Sequence, residues 1–264
     1  MLSDRAAFYK IQSELKRLCV TASTPPLASE EIIGEACAGS IKYFDAFVLK
    51  QLLQRYKPST ILEVGSFLGF SSRWLLESSS PWNAKVTAVD PNIPHRIFQE
   101  PMVIAKKFNA KFVGNGRLEI VEAFFGKLIM SPYYYRVYAV AKLAYTQSAM
   151  DNILNSKPIF DEKSGRKFDF IFIDGNHAYE NVKSNFQTAL KLLNNNGHIV
   201  FHDAWSFPDV KKILEEINVL YGEKAKVRIH YHWIRNNVFR EVSRHFRFLR
   251  FLNSDGIGEF YLVS

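Results

Sequence analysis

The chain has 264 residues, 47% hydrophobic and 23% charged, enough for one large α/β domain with a full core or at most two small domains. No stretch nears the ~18 apolar residues of a membrane span. The charged N-terminus MLSDRAAFYKIQSELKRL does not read as a signal peptide, so a cytoplasmic protein is expected. The net charge of +8 does not mark the whole chain as a nucleic-acid binder, because the segment from Lys224 to Arg250 carries eight Lys or Arg against one acid, Glu241.

Residues 2–19 read as a mixed-charge helix closed by the loop TASTPPLAS, which suggests an N-terminal helical extension over 1–28 ahead of a main domain over 29–264. Cys19 and Cys37 have neither metal-type nor redox-type spacing and read as reduced thiols. Phe44, Phe47, Val48 and Leu52 recur at helical spacing, and Lys57-Pro58-Ser59 ends that helix.

The stretch ILEVGSFLGFSS, residues 61–72, follows. Ile61, Leu62 and Val64 form a short buried strand with Glu63 near its end, then come Gly65 and Gly69, and Ser71-Ser72 open a helix. A strand that turns directly into a helix leaves unpaired N–H groups aimed at one spot, which suits a polar or anionic ligand. Glycine is expected there because a ligand pressed on the backbone leaves no room for a β-carbon. The pattern is not the dinucleotide fingerprint, since Ser66 and Phe67 stand where a closer glycine would be.

In KVTAVDPN, Val86, Ala88 and Val89 form a second strand ending at Asp90, 25 residues beyond Gly65. An acid there can accept from both hydroxyls of a ribose, in an adenosyl ligand or in NAD. A helix from about Ile97 to Asn109 and a strand from Arg117 to Glu122 come next. Residues 124–165 are longer than a βα connection needs and carry Tyr133, Tyr134, Tyr135, Tyr138 and Tyr145, so they read as a helical insertion over the site or at a subunit contact, with a homo-oligomer left open.

FDFIFIDG is a near-continuous apolar strand covered on both faces, ending at Asp174. Val182, Phe186, Ala189, Leu190 and Leu193 form the next helix, which Asn194-Asn195-Asn196-Gly197 should close in a left-handed cap. Ile199-Val200-Phe201 lead to His202-Asp203, and Ser206 to Asp209 reads as a capping box. Residues 226–232 alternate like a strand with one wet face, 233–252 read as a basic helical segment packed on the sheet edge, and Ile257 to Val263 as a last strand. Strands alternating with helices predict one doubly wound α/β sheet.

Three strands end in polar residues, at Glu63-Val64-Gly65, at Asp174 and at His202-Asp203. In an open parallel sheet these carboxyl ends line one crevice, so Asp174 and Asp203 are expected to face each other. His177 and His202 are the candidate general bases, with His177 preferred.

The 61–72 stretch resembles the first motif of class I S-adenosylmethionine-dependent methyltransferases. Residues 173–203, IDGNHAYENVKSNFQTALKLLNNNGHIVFHD, resemble the D-G-x-H-x-Y…G-G-x-x-x-x-H-D region of a small-molecule group among them, with Asn196 at the first glycine of the pair. The resemblance spans about residues 41–205 and implies a Rossmann-like, mostly parallel seven-stranded sheet with its last strand antiparallel. It also implies S-adenosylmethionine as donor, held at Glu63, Gly65, Ser66 and Gly69, with Asp90 on the ribose and Asp174 against the donor as well. Because Glu122-Ala123-Phe124-Phe125 has no acid after Glu122, Phe124 is assigned to stack on the adenine.

Asp174, His177 and His202 are the implied catalytic group. Relatives of the catechol O-methyltransferase type hold Mg²⁺ at positions matching Asp174 and Asp203, although their third ligand, an asparagine, is Ala204 here. The expected activity is methyl transfer to a hydroxyl oxygen of a small-molecule acceptor. Its rivals are a metal-dependent hydroxylase-like or NAD-binding enzyme on the same sheet, and a non-catalytic basic module on anionic lipid or RNA. Nucleic-acid base methylation is disfavoured, because Asp174-Gly175-Asn176-His177 stands where such enzymes often carry an Asn or Asp before two prolines and an aromatic.

Overall fold

A computed structural model of the chain describes residues 2–22, 41–93, 98, 100–127, 155–230 and 254–263. Helices α1 (Leu2–Ala22) and α2 (Tyr43–Tyr56) lead into β1 (Thr60–Val64), α3 (Phe70–Ser78), β2 (Lys85–Asp90), α4 (Pro101–Phe108), α5 (Ala110–Gly114) and β3 (Leu118–Glu122). There follow β4 (Phe124–Phe125), β5 (Ile159–Phe160), β6 (Phe168–Ile173), α6 (Tyr179–Leu192), β7 (Leu193–Phe201), α7 (Pro208–Tyr221), β8 (Ala225–His230) and β9 (Ile257–Leu262).

Seven strands form one sheet in the order β3-β2-β1-β6-β7-β9-β8. The strands from β3 to β7 pair in parallel, and β9 is antiparallel to both neighbours. The expected doubly wound architecture, with its reversed last strand, is therefore present. The order reverses between β1 and β6, so their carboxyl ends border the crevice where ligands bind in open α/β sheets.

Strand alternation divides the core into two layers. Ile61, Phe170 and Phe172 face a cluster that includes Leu49, Leu53, Phe70 and Trp74, whereas Leu62, Ile171 and Ile173 face one that includes Val182, Phe186, Ile213 and Leu214. Both faces of the central strands are covered, as their unbroken apolar runs require.

Helix α1 is part of the first layer. Phe8, Ile11, Leu15 and Cys19 recur at helical spacing and are all buried. Phe8 packs edge-on against Phe70 and Trp74, with ring centroids 5.1 and 5.6 Å away.

Several local expectations change. The described ends of the 124–165 insertion carry two short strands, since β4 and β5 pair in parallel; its centre lies outside the described residues, as do the whole basic segment 233–252 and Cys37. Helix α6 stops at Leu192, and only Asn196 adopts the left-handed conformation (φ 62°), inside an irregularity of the β6–β7 pairing. Asn194 is drawn off by its neighbour strand, donating from Nδ2 to Asp169 at 2.8 Å. Of the helix expected from Ile97 to Asn109, the described part is α4, which starts at Pro101, where proline suits the first turn. None of the helices among the described residues is long and apolar enough to cross a membrane.

Candidate active site

The β1–α3 loop is shaped by the protein's own backbone. Gly65 has φ +87°, and a β-carbon on it would collide with the carbonyl oxygen of Asp174 on the adjacent strand. Gly69 has φ +81°, and its β-carbon would strike the Asn109 amide and Ala105 of α4. Intramolecular contact and positive φ by themselves thus require glycine at both positions. Asn109, fully buried, donates from Nδ2 to Gly69 O at 3.0 Å and to Ala105 O at 3.1 Å, clamping the loop onto α4.

Between the glycines Ser66 is buried, and its Oγ has no hydrogen-bond partner among the described residues. Phe67 is held in the left-handed region at φ 46°, an unusual state for a bulky residue, which often marks a ligand site. What holds it is Asp90. Oδ2 of Asp90 accepts the Phe67 N–H at 2.9 Å and Oδ1 accepts the Asn92 N–H at 2.7 Å. The backbone N–H of Ser66 bears on the same carboxylate, so three loop and turn N–H groups converge on Asp90. Burial raises the Asp90 pKa against the pull of these N–H groups.

Glu63 lies beneath the loop rather than in it. It is fully buried, Ser72 donates to Oε2, and Oε1 has no partner among the described residues. Burial pushes its pKa up to about 8, the Ser71 and Ser72 hydroxyls opposing only in part. Phe124 is buried in β4, 4% exposed, and offers no open ring face for adenine.

The opposite wall comes from the ends of β6 and β7. Asp174 Oδ1 lies 2.9 Å from His202 Nδ1 in a hydrogen bond. Asp203, left-handed at φ 59°, accepts from Ser206 Oγ at 2.7 Å, so that serine orients an acid and does not cap α7. Asp209, also expected in that capping box, accepts the Tyr179 N–H at 3.0 Å and so caps α6. His177 Nε2 stands 2.7 Å from Asp203 Oδ2, and its ring stacks on Phe207 at 4.2 Å. Asp174, His177 and Asp203 form one group whose candidate ligand atoms lie within 4.8 Å of one another, which the sequence had suggested for the two acids alone.

His202 is 4% exposed and enclosed by acids. Asp203 Oδ2 is 3.4 Å from Nδ1, and Asp45 Oδ2 is 3.5 Å from Nε2. Burial alone would lower its pKa, but Asp174 and Asp203 outweigh it and raise the value well above the ordinary one. The same contacts hold the Asp203 carboxyl far below its usual range despite burial. Such a histidine positions the acids and is poorly placed to take a proton from a substrate.

Sequence reading missed Asp45. This buried acid in the first turn of α2 accepts from Ser254 Oγ at 2.5 Å, Asp255 N at 2.9 Å and Gly256 N at 3.1 Å. The loop before β9 in turn accepts from the segment after Asp203, Ala204 N bonding Gly256 O and Trp205 N bonding Asp255 O. An acid on an otherwise apolar helix face was the one available signal. Trp205 and Phe207, both large and exposed, flank the same corner.

Residues 62–204 match the family model described as "Methyltransferase domain". No curated protein sequence matches the chain. Among solved structures it is similar to the SAH-bound methyltransferase PaMTH1 of Podospora anserina, at 12% identity and a TM-score of 0.53, over 100% of this chain and 96% of that one. An O-methyltransferase from Bacillus cereus in complex with SAH is similar at 16% identity and a TM-score of 0.52, over 97% and 91% of the two chains. TomG of Streptomyces achromogenes, an O-methyltransferase involved in tomaymycin synthesis and in complex with SAM, is similar at 16% and 0.51, over 96% and 90%. At such identities these likenesses are of fold.

Proposed function

The chain belongs to the methyltransferase-domain family, and from that premise we propose that it moves a methyl group from S-adenosylmethionine to a hydroxyl oxygen of a small molecule. The observation that carries this reading is the join between the β1–α3 loop and Asp90. Ser66 Oγ, buried and without a hydrogen-bond partner among the described residues, belongs to the loop whose Phe67 N–H bonds Asp90, a carboxylate with acceptor capacity beyond its backbone N–H partners. That donor and acceptor set fits a ribose and the polar end of an adenosyl amino acid. Relatives in fold are crystallised with SAH or SAM, and two of them are named O-methyltransferases.

Ser66, Asp90 and the backbone of Gly65 would hold the donor. The acceptor would lie between it and the Asp174–His177–Asp203 corner, with Trp205 and Phe207 as an apolar flank. In the transfer the acceptor oxygen bonds to the methyl carbon, the carbon–sulfur bond breaks with its electron pair going to sulfur, and the hydroxyl proton passes to the His177 imidazole. Holding the two reactants in line supplies most of the acceleration. Asp174 and Asp203 would hold Mg²⁺, a hard cation that suits carboxylate oxygens and lowers the pKa of a bound hydroxyl. His202 and Ser206 keep those carboxylates aimed.

Calorimetric titration with S-adenosylmethionine, its demethylated product and NAD tests the reading. Binding of the first two and not the third is expected; the proposal falls if neither adenosyl compound binds.

A further inference from the structure

We propose that Asn181 recognises the edge of the donor's adenine, with the ring laid in a slot over Gly175. This rests on the methyl-transfer reading and fills the place that Phe124, buried in β4, leaves open.

The amide of Asn181 carries the inference. The residue is 6% exposed, and its buried Nδ2 has no hydrogen-bond partner among the described residues. A buried N–H without an acceptor is costly, so its partner is to be sought in a ligand. On α6, Val182, Phe186 and Ala189 turn into the core, while Asn181 and Asn185, four apart, share the adjoining face. Asn185 shows where that face points. A β-carbon on Gly175 would lie 3.7 Å from Asn185 Nδ2 and 3.9 Å from Val64 Cγ1. Gly175 also abuts the glycine bend, since a β-carbon on Gly65 would lie 3.0 Å from its Cα. Asn181 is one turn nearer the start of α6, which places its amide about 5 Å higher, at the level of the crevice.

Gly175 supplies an independent sign. Unlike Gly65 and Gly69, it has room for a β-carbon and its φ is not positive, so no internal contact demands glycine there. A flat ring resting on the backbone would demand it. Val64, Val89 and Ala123, buried in the same core layer as Val182 and Phe186, stand at the ends of β1, β2 and β3 and give such a ring apolar surroundings. An asparagine amide matches the adenine edge, because Oδ1 accepts from the 6-amino group while Nδ2 donates to N7. A 6-oxo purine has no donor at that position and meets Oδ1 with a second acceptor.

The test is calorimetric titration of the full-length protein with S-adenosylhomocysteine and with S-inosylhomocysteine, which carries oxygen in place of the 6-amino group. The wild type should bind the adenosyl compound at least about tenfold more tightly. Asn181→Ala and Asn181→Leu, checked by circular dichroism for intact fold, should bind the adenosyl compound at least about tenfold more weakly. Gly175→Ala should melt as the wild type does and weaken both compounds alike, since its methyl enters the slot and nothing else. Equal binding of the two compounds by the wild type overturns this inference alone, as does undiminished adenosyl affinity in both Asn181 variants. A wild type that binds neither compound overturns the functional reading beneath it.

Discussion

The backbone N–H of Phe67 donates to Oδ2 of Asp90 at 2.9 Å, tying the loop after β1 to the end of β2. One carboxylate thus shapes the glycine loop and, in the proposed function, meets a ribose with its remaining acceptor capacity. Asp90→Ala removes both roles. Two lost hydrogen bonds to a charged acceptor amount to about 3 kcal/mol, or roughly a hundredfold in affinity. Calorimetry should show a fall of that size for S-adenosylmethionine, and an unchanged affinity would remove Asp90 from the donor site.

Gly65→Ala tests the origin of the loop. The added methyl meets the Asp174 carbonyl and also puts a side chain at φ +87°. The left-handed conformation alone costs about 1–2 kcal/mol, and moving a strand-end carbonyl adds to it. A melting temperature lowered by several degrees is expected even without donor, because the clash is internal. Normal stability with impaired donor binding would instead favour the ligand-contact explanation.

Glu63 gives a pH signature. Its folded pKa of about 8 lies above the ordinary carboxyl value of 4.5. The group therefore contributes stability fully below about 4.5, and that contribution is lost as pH rises through about 8, because the folded state holds the proton more tightly. Glu63→Gln keeps an acceptor for Ser72 and cannot ionise. Thermal melts from pH 6 to 9 should fall more steeply for the wild type than for the variant. Parallel curves would contradict the buried, protonated acid.

Glu259 behaves in the opposite sense. It is fully buried on β9, and its carboxylate stands 3.0 Å from His198 Nδ1 and 3.0 Å from His230 Nε2. Burial would raise its pKa, but the two histidines and Tyr56 outweigh that and lower it. Its stabilisation is present above the unfolded value of about 4.5 and lost as pH falls below it. Breaking a buried pair from one side costs about 3–5 kcal/mol. Glu259→Gln should lower the melting temperature clearly at pH 7, with the gap narrowing below pH 4.5; a gap that widened in acid would refute the assignment.

Much of the site was legible because it is built from strand ends. Asp90, Asp174 and Asp203 each follow an apolar run whose length and boundary are local properties, and parallel pairing brings such ends to one edge. Ser206 and Asp209 misled for the same reason. They form a capping pattern in sequence, yet Ser206 turns to Asp203 and Asp209 to the start of α6, because loops from different strands meet at that edge. Asp45 and Asp255 were invisible, since the contacts that give them meaning cross more than 200 residues of chain.

Periodicity and turn chemistry in the chain were enough to fix the alternating α/β order, the glycine bend and the three acids at strand ends, because each depends on residues close to one another. Only the folded structure decided why Gly65 is glycine, that Glu63 is buried below the loop, and that His202 braces the acids while His177 joins them. Those outcomes rest on distance and burial between strands far apart in sequence, where desolvation and the neighbouring charge choose a side chain's role.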